Sequence, residues 1–202
     1  LEGHDDQKPA CSNGMATLAA LKLYQATKEP YFLQQGIKYY DWMYDHLRDS
    51  AGLYRNDIKT ATGAVNATYY TYNSGSMLEA AVMLYAFTGQ QKYYQDAKQT
   101  ANAAYRYFGQ PQEGMRSEFC VLPWFATVVF RGYAALYAID KDRAYLKAII
   151  ARVDHAWNNR DRYGLLNHNW SDARDETGKP KWLLDEACIA ELYARMALLN
   201  LK

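Results

Sequence analysis

Three times along this chain a Leu-Tyr pair is followed, nine and ten positions after its Leu, by two bulky residues that open a second helix-like run. The copies are Leu23-Tyr24 to Phe32-Leu33, Leu84-Tyr85 to Tyr93-Tyr94, and Leu136-Tyr137 to Tyr145-Leu146; a fourth pair, Leu192-Tyr193, stands close to Lys202. A period of this kind spells a repeated helical hairpin. The first helix of each copy, around 15–23, 77–84, 125–136 and 183–192, is apolar or small-sided around most of its circumference. Such a helix needs cover on most sides. The second helices, around 31–47, 93–108 and 145–157, alternate apolar positions with Lys, Asp, Gln and Arg at three- and four-residue steps and have one wet face. Short connections at 27–30, 88–91 and 140–142 carry Thr, Asp and Gly89, which suit helix ends and make each pair antiparallel. Buried first helices and amphipathic second ones describe an inner and an outer ring. The expected fold is therefore all-α, repeated antiparallel hairpins forming part of a toroid.

Gly52-Leu53, Gly114-Met115 and Gly164-Leu165 recur at nearly constant distance after the Leu-Tyr pairs, so one unit spans a hairpin plus the turn leaving it. Longer connections at 50–72 and 161–181, and a shorter one at 111–122, lead into the N-terminal ends of first helices. The segment 53–56 returning through 68–70 is expected to form a small β-hairpin. Long connections in a compact domain usually carry function. At these helix starts stand Ser12-Asn13-Gly14, Tyr70-Thr71-Tyr72-Asn73-Ser74-Gly75, Pro123-Trp124-Phe125 and Trp182-Leu183-Leu184-Asp185. Asn and Ser are also ordinary helix caps, but capping does not call for a Tyr or Trp beside them in nearly every copy.

Composition narrows the partner. With 202 residues, half of them apolar and 22% charged, the chain, residues 1–202, is expected to be a single domain with a substantial core. A net charge of +1 with scattered Lys and Arg argues against nucleic acid or an anionic membrane and for a neutral partner. No apolar run approaches the roughly 20 residues of a membrane span. Cys11, Cys120 and Cys188 show no CxxC spacing, so no disulfide framework and no metal is expected, only buried small side chains. Nineteen Tyr and five Trp suit both helix packing and stacking on sugar rings. No nucleotide or metal motif occurs, and no cofactor is implied.

Lys8-Pro9-Ala10-Cys11-Ser12-Asn13-Gly14, Tyr69-Tyr70-Thr71-Tyr72-Asn73-Ser74-Gly75 and Leu84-Tyr85-Ala86-Phe87-Thr88-Gly89 resemble the family 76 glycoside hydrolases, the endo-α-1,6-mannanases and their relatives. Arg131-Gly132-Tyr133 and Trp182-Leu183-Leu184-Asp185-Glu186-Ala187 extend the resemblance over nearly the whole chain. It implies an (α/α)6 barrel with its active site over the N-terminal ends of the inner helices, and a retaining reaction run by two adjacent aspartates. It also implies a bacterial, extracytoplasmic protein acting on a mannan-like poly- or oligosaccharide.

The aspartates are a difficulty. In that family the pair opens an earlier inner helix, ahead of the Ser-Asn-Gly stretch, which places its expected position upstream of Leu1. The one adjacent pair here, Asp5-Asp6, stands seven residues before Ser12-Asn13 and reads as a loop tip, so the catalytic residues are not assigned. Seven helices are legible where a closed barrel needs about twelve, so the chain reads as the C-terminal half to two-thirds of the barrel. An uncovered flank of that partial ring is expected to associate. The residues expected to hold sugar are Asn13, Tyr72, Asn73, Trp124, Phe125, Arg131, Trp182 and Asp185. Arg131 and Asp185 also read as an ion pair between inner helices, and Trp170 as a residue over the groove or under it. The alternative reading is a non-catalytic helical repeat that binds carbohydrate or protein; another (α/α)6 sugar enzyme would want inner-helix histidines absent here.

Overall fold

The computed structural model describes residues 6–109, 123–167, 170 and 177–201. Among them are seven α-helices and a three-stranded antiparallel sheet of order β1-β2-β3. In chain order these are β1 (Gln7–Pro9), α1 (Ala10–Thr27), α2 (Pro30–Leu47), β2 (Arg55–Lys59), β3 (Val65–Tyr69), α3 (Thr71–Thr88) and α4 (Gln91–Ala104). A π-helical turn over Tyr105–Gly109 extends α4, and then come α5 (Pro123–Asp140), α6 (Ala144–Asn158) and α7 (Leu183–Leu198).

The odd-numbered helices form the inner layer: α1 packs on α3, α3 on α5 and α5 on α7, while α2, α4 and α6 back α1, α3 and α5 respectively. The expected toroidal arrangement is present as an arc. Its centre, α3, buries twelve of its eighteen residues, including Met77, Leu78 and Leu84. Rim helices are less covered. Met15 and Leu23 on α1 are about half exposed, and Leu183, Leu184 and Leu198 on α7 are more so.

The Leu-Tyr repeat has a structural cause. Each inner helix of a complete hairpin ends on a residue in the left-handed region, Lys28 (φ 61°), Gly89 (φ 69°) and Lys141 (φ 61°). Its N–H donates to the carbonyl of the repeat tyrosine: Tyr24 at 2.8 Å, Tyr85 at 2.8 Å and Tyr137 at 3.0 Å. Thr27 and Thr88 hydroxyls then bridge from the Leu23 and Leu84 carbonyls to the Glu29 and Gln90 N–H groups. The sequence suggests these threonines as caps of the outer helices; they instead tie off the turn between the two.

A second repeated device follows the outer helices. In Asp49-x-x-Gly52-Leu53 and Asp161-x-x-Gly164-Leu165 the Asp backbone N–H donates to the Leu carbonyl, at 2.9 and 2.8 Å. Each carboxylate accepts two backbone N–H groups of its own turn. The copy at Gly114 lies outside the described residues. Trp170, a candidate groove residue by sequence, is 1% exposed and belongs to the core with Leu166. The expected hairpin forms as β2 and β3, and β1 adds a strand that the sequence does not announce, pairing Pro9 with Asp57. Since β1 runs straight into α1 and β3 into α3, the sheet sits at the N-terminal ends of those helices. No helix among the described residues is long and apolar enough to cross a membrane.

The tightest inner-layer contact is between α3 and α5 at two glycines. A Cβ on Gly75 would lie 2.6 Å from Val129 backbone atoms, and one on Gly132 would lie 2.8 Å from the Gly75 carbonyl oxygen. Backbone cannot yield as a flexible side chain does. Gly75→Ala is therefore expected to lower the unfolding free energy by about 2 kcal/mol or more, read from urea denaturation.

The turn aspartates set a pH limit. Burial works to raise the Asp49 and Asp161 carboxyls. It is outweighed at Asp49 by the Tyr69 hydroxyl and the Leu53, Gly52 and Ala51 amides. At Asp161 the Leu165 and Tyr163 amides and Lys181 outweigh it, so both carboxyls lie below the usual 3.8. A lowered folded-state value stabilises the fold above the unfolded value and loses that stabilisation as pH falls through the folded one. The urea midpoint is expected to be level above about pH 5 and to drop below about pH 4, with a shallower drop in Asp49→Asn.

Candidate functional site

A cavity of about 400 Å³ opens at the N-terminal ends of three inner helices, lined by Cys11 and Met15 of α1, Tyr72 and Ser76 of α3, and Trp124, Phe125, Val128 and Arg131 of α5. The steps of three and four residues set these side chains one above another on single helix faces. Its rim is aromatic. Tyr70 and Tyr72 stack at 5.3 Å with rings 6° apart, Phe125 meets Tyr72 edge-on at 4.4 Å, and Trp124 meets Phe125 at 4.1 Å. These rings hold one another in place and leave partly exposed faces toward the cavity. Cys11 lines the cavity instead of lying in the core as expected; Cys120 is outside the described residues.

Beneath the rim lies a layer of charge. Glu79, Arg131 and Glu191 are each the ninth residue of their helices, α3, α5 and α7. Eight helical rises put all three about 12 Å below the helix starts. Glu79 is 8% exposed and accepts an ion pair from Lys22 of α1 at 2.8 Å. Arg131 Nε lies 3.8 Å from the other Glu79 oxygen, and Arg131 Nη1 lies 3.6 Å from Glu191, which also pairs with Arg195 at 2.8 Å. One chain of ion pairs thus joins all four inner helices. The Arg131 partner expected from the sequence, Asp185, is not the one found: Glu79 and Glu191 stand on the turns level with Arg131, whereas Asp185 is in the first turn of α7.

Of the eight expected sugar contacts, four converge on the cavity: Tyr72, Trp124, Phe125 and Arg131. Asn13 donates its amide N–H to the Pro9 carbonyl at 2.8 Å. Asn73 is a correction, because its side chain is closed off from solvent and donates to Asn56 at 3.4 Å. Trp182, 59% exposed, and Asp185, 5% exposed, flank a separate dent of about 10 Å³ between α7 and the residues Leu166, Pro180 and Lys181, too small for a sugar. Asp6 pairs with Lys59 at 2.9 Å beside β1 and the end of β2 and is not among the residues lining the cavity. Leu1 and Asp5 both lie outside the described residues, so the expectation that the acid pair stands upstream of Leu1 has no counterpart among the described side chains. Burial pushes the Cys188 thiol well above its usual value, which removes it as a nucleophile near neutral pH.

Sequence reasoning passes over Asn56, Asp57 and Glu79. Asp57 is 4% exposed and accepts the side-chain amides of Asn56 and Asn66, both at 2.9 Å. Asn73 joins through Asn56, so the polar cluster fastens the sheet to the start of α3. Ser74 does the same by accepting the Tyr54 N–H at 3.1 Å. Asn13, Asn73 and Ser74 therefore tie the sheet and its lead-in residue Tyr54 to α1 and α3 and do not cap those helices. The available signal for Glu79 is its shared offset with Arg131 from the helix start.

A family model, Glycosyl hydrolase family 76, matches residues 1–152. The chain belongs to that family. The seven helices among its described residues are part of an (α/α)6 barrel. A family 76 mannosidase from Bacteroides thetaiotaomicron is 33% identical with a TM-score of 0.86, over 99% of this chain and 57% of that one. A second family 76 hydrolase, from a bovine strain of that species, is 28% identical with a TM-score of 0.86, over 99% and 45%. The α-1,6-mannanase of Salegentibacter sp. HEL1_6 is 25% identical with a TM-score of 0.80, over 96% and 60%; it is an inactive variant with two adjacent aspartates replaced by alanine, in complex with α-1,6-mannotetrose. This chain thus spans about half to three-fifths of the solved relatives it resembles. No curated protein matches it.

The polar cluster behind the rim gives a direct check. Asp57→Ala strips Asn56 and Asn66 of their acceptor and is expected to cost about 2 kcal/mol of folding stability in urea unfolding.

Proposed function

We propose that the protein carrying this chain hydrolyses α-1,6-linked mannan with retention of configuration, and that this chain supplies one wall of the substrate groove. The observation that carries the reading is the aromatic rim of Tyr72, Phe125 and Trp124 set above Arg131 in one cavity, within a family 76 fold. At about 400 Å³ the cavity falls within the roughly 300–1,000 Å³ of small-ligand sites. Aromatic faces give flat apolar area for the C–H faces of a pyranose, and the guanidinium gives donors for its hydroxyl oxygens.

Retaining hydrolysis needs two carboxyls about 5–5.5 Å apart, one attacking the anomeric carbon and one protonating the leaving oxygen. None of the described residues lining the cavity is a carboxylate, so this wall binds and orients while the acid pair acts from the facing side. Exposed Leu23 on α1 fits the same reading, since a closed ring of helices covers it. An extracytoplasmic bacterial location belongs to it too, because polymeric mannan does not cross a membrane intact.

The full protein is expected to release oligosaccharides from α-1,6-mannan with α-configured reducing ends by NMR. Trp124→Ala is expected to raise KM about tenfold, the equivalent of 1.4 kcal/mol. β-Configured products reject retention. Binding of α-1,6-mannotetraose without cleavage supports instead a carbohydrate-binding module, a reading favoured only by the lack of a carboxylate in the described lining.

A further inference from the structure

We infer that Glu79 is a positioning residue that turns Arg131 from an anion hook into a hydrogen-bond donor for uncharged sugar, so that the groove selects neutral glycans over acidic ones. The inference rests on the carbohydrate reading of the groove. Arg131 lines the cavity with its side chain 24% exposed, and its Nε is buried with no hydrogen bond. The facing Glu79 oxygen is equally buried and equally without a hydrogen bond, 3.8 Å away. A pair serving only to clamp two helices would close to the roughly 2.8 Å of a charge-assisted hydrogen bond. This one stays open, with the rest of the guanidinium at the floor of the cavity.

Charge decides what that guanidinium prefers. A lone arginine in an apolar cavity binds carboxylate or phosphate through its planar fork. Here Glu79 and Glu191 stand 3.8 and 3.6 Å away on two sides and oppose its positive potential. An incoming anion meets two carboxylates beside Arg131 that weaken its pull, although their pairing with Lys22 and Arg195 leaves the line with one net positive charge. A sugar hydroxyl, uncharged and able to accept from an N–H, meets no such repulsion. Glu79 is itself held by Lys22 on its other oxygen, which gives the carboxylate a second cation at 8% exposure and fixes it beside Arg131.

NMR titrations of the full protein with methyl α-mannoside and with mannuronate test this. The wild type is expected to bind the neutral sugar at least fivefold more tightly than mannuronate. Glu79→Gln is expected to shrink that ratio about fivefold or more, and Glu79→Asp, which keeps the charge, to leave it near the wild-type value. Should Glu79→Gln fail to fold, Glu191→Gln removes the second, more exposed carboxylate and is expected to move the ratio the same way. A lower melting temperature with an unchanged ratio in the folded variants makes the ion pair purely structural and overturns the inference alone. A wild type that binds neither sugar overturns the carbohydrate reading and this inference with it.

Discussion

Everything at the candidate site depends on how closely α3 and α5 approach. At Gly75 and Gly132 the two helices meet backbone to backbone, and a single added carbon on either would collide with main-chain atoms of the other. Tyr72 lies one turn above Gly75 and Glu79 one turn below it; Phe125 lies two turns above Gly132, and Arg131 lies beside it. The contact between Tyr72 and Phe125 rings at 4.4 Å and the 3.8 Å approach of Glu79 to Arg131 both require that spacing. Widen the helices by one methyl group and the rim and the charged floor separate together. Apolar packing is effective here because close-packed interiors transmit such displacements instead of absorbing them.

Around that contact the fold repeats two simple turn devices. A left-handed residue closes α1, α3 and α5 onto the carbonyl of the Leu-Tyr tyrosine, and an Asp-x-x-Gly-Leu turn follows two of the outer helices. Their hydrogen bonds are mostly to backbone, so the flanking side chains remain available for packing. Tyr24, Tyr85 and Tyr137 each contribute a carbonyl to the cap and a ring to the surface between helices, which accounts for the recurrence of the pair. At the other end of the inner helices the sheet replaces capping side chains: Asn13, Asn56, Asn73 and Ser74 join β1 and β2 to α1 and α3.

Legibility followed the range of each interaction. The Leu-Tyr spacing, the amphipathic outer helices and the 53–70 hairpin come from contacts within about a dozen residues, and each is present. β1 was not legible because three residues acquire strand geometry only from β2, some fifty positions away. The rim residues Tyr72, Trp124 and Phe125 were legible as candidates since aromatic side chains at helix starts stand out, and Arg131 was legible because a charge well inside an apolar helix stands out too. Asn73 looks equally exposed in sequence but faces inward, because the sheet covers that side of α3. The Arg131 partner was misassigned for a related reason: Asp185 is acidic and near in sequence offset, yet side chains meet across a helix layer by depth, and Glu79 and Glu191 share the depth of Arg131.

The sequence by itself determined the hairpin repeat, the inner and outer roles of its helices and the end of the layer at which aromatics collect. These are consequences of local periodicity and turn chemistry, which a chain carries wherever it is read. Only the tertiary structure decided which side chains share a cavity, which amides are consumed in fastening the sheet, and that one line of ion pairs runs across four helices. Those outcomes turn on interhelical distance and rotation and on how the sheet docks, of which the sequence pattern carries only the shared offset of Glu79, Arg131 and Glu191.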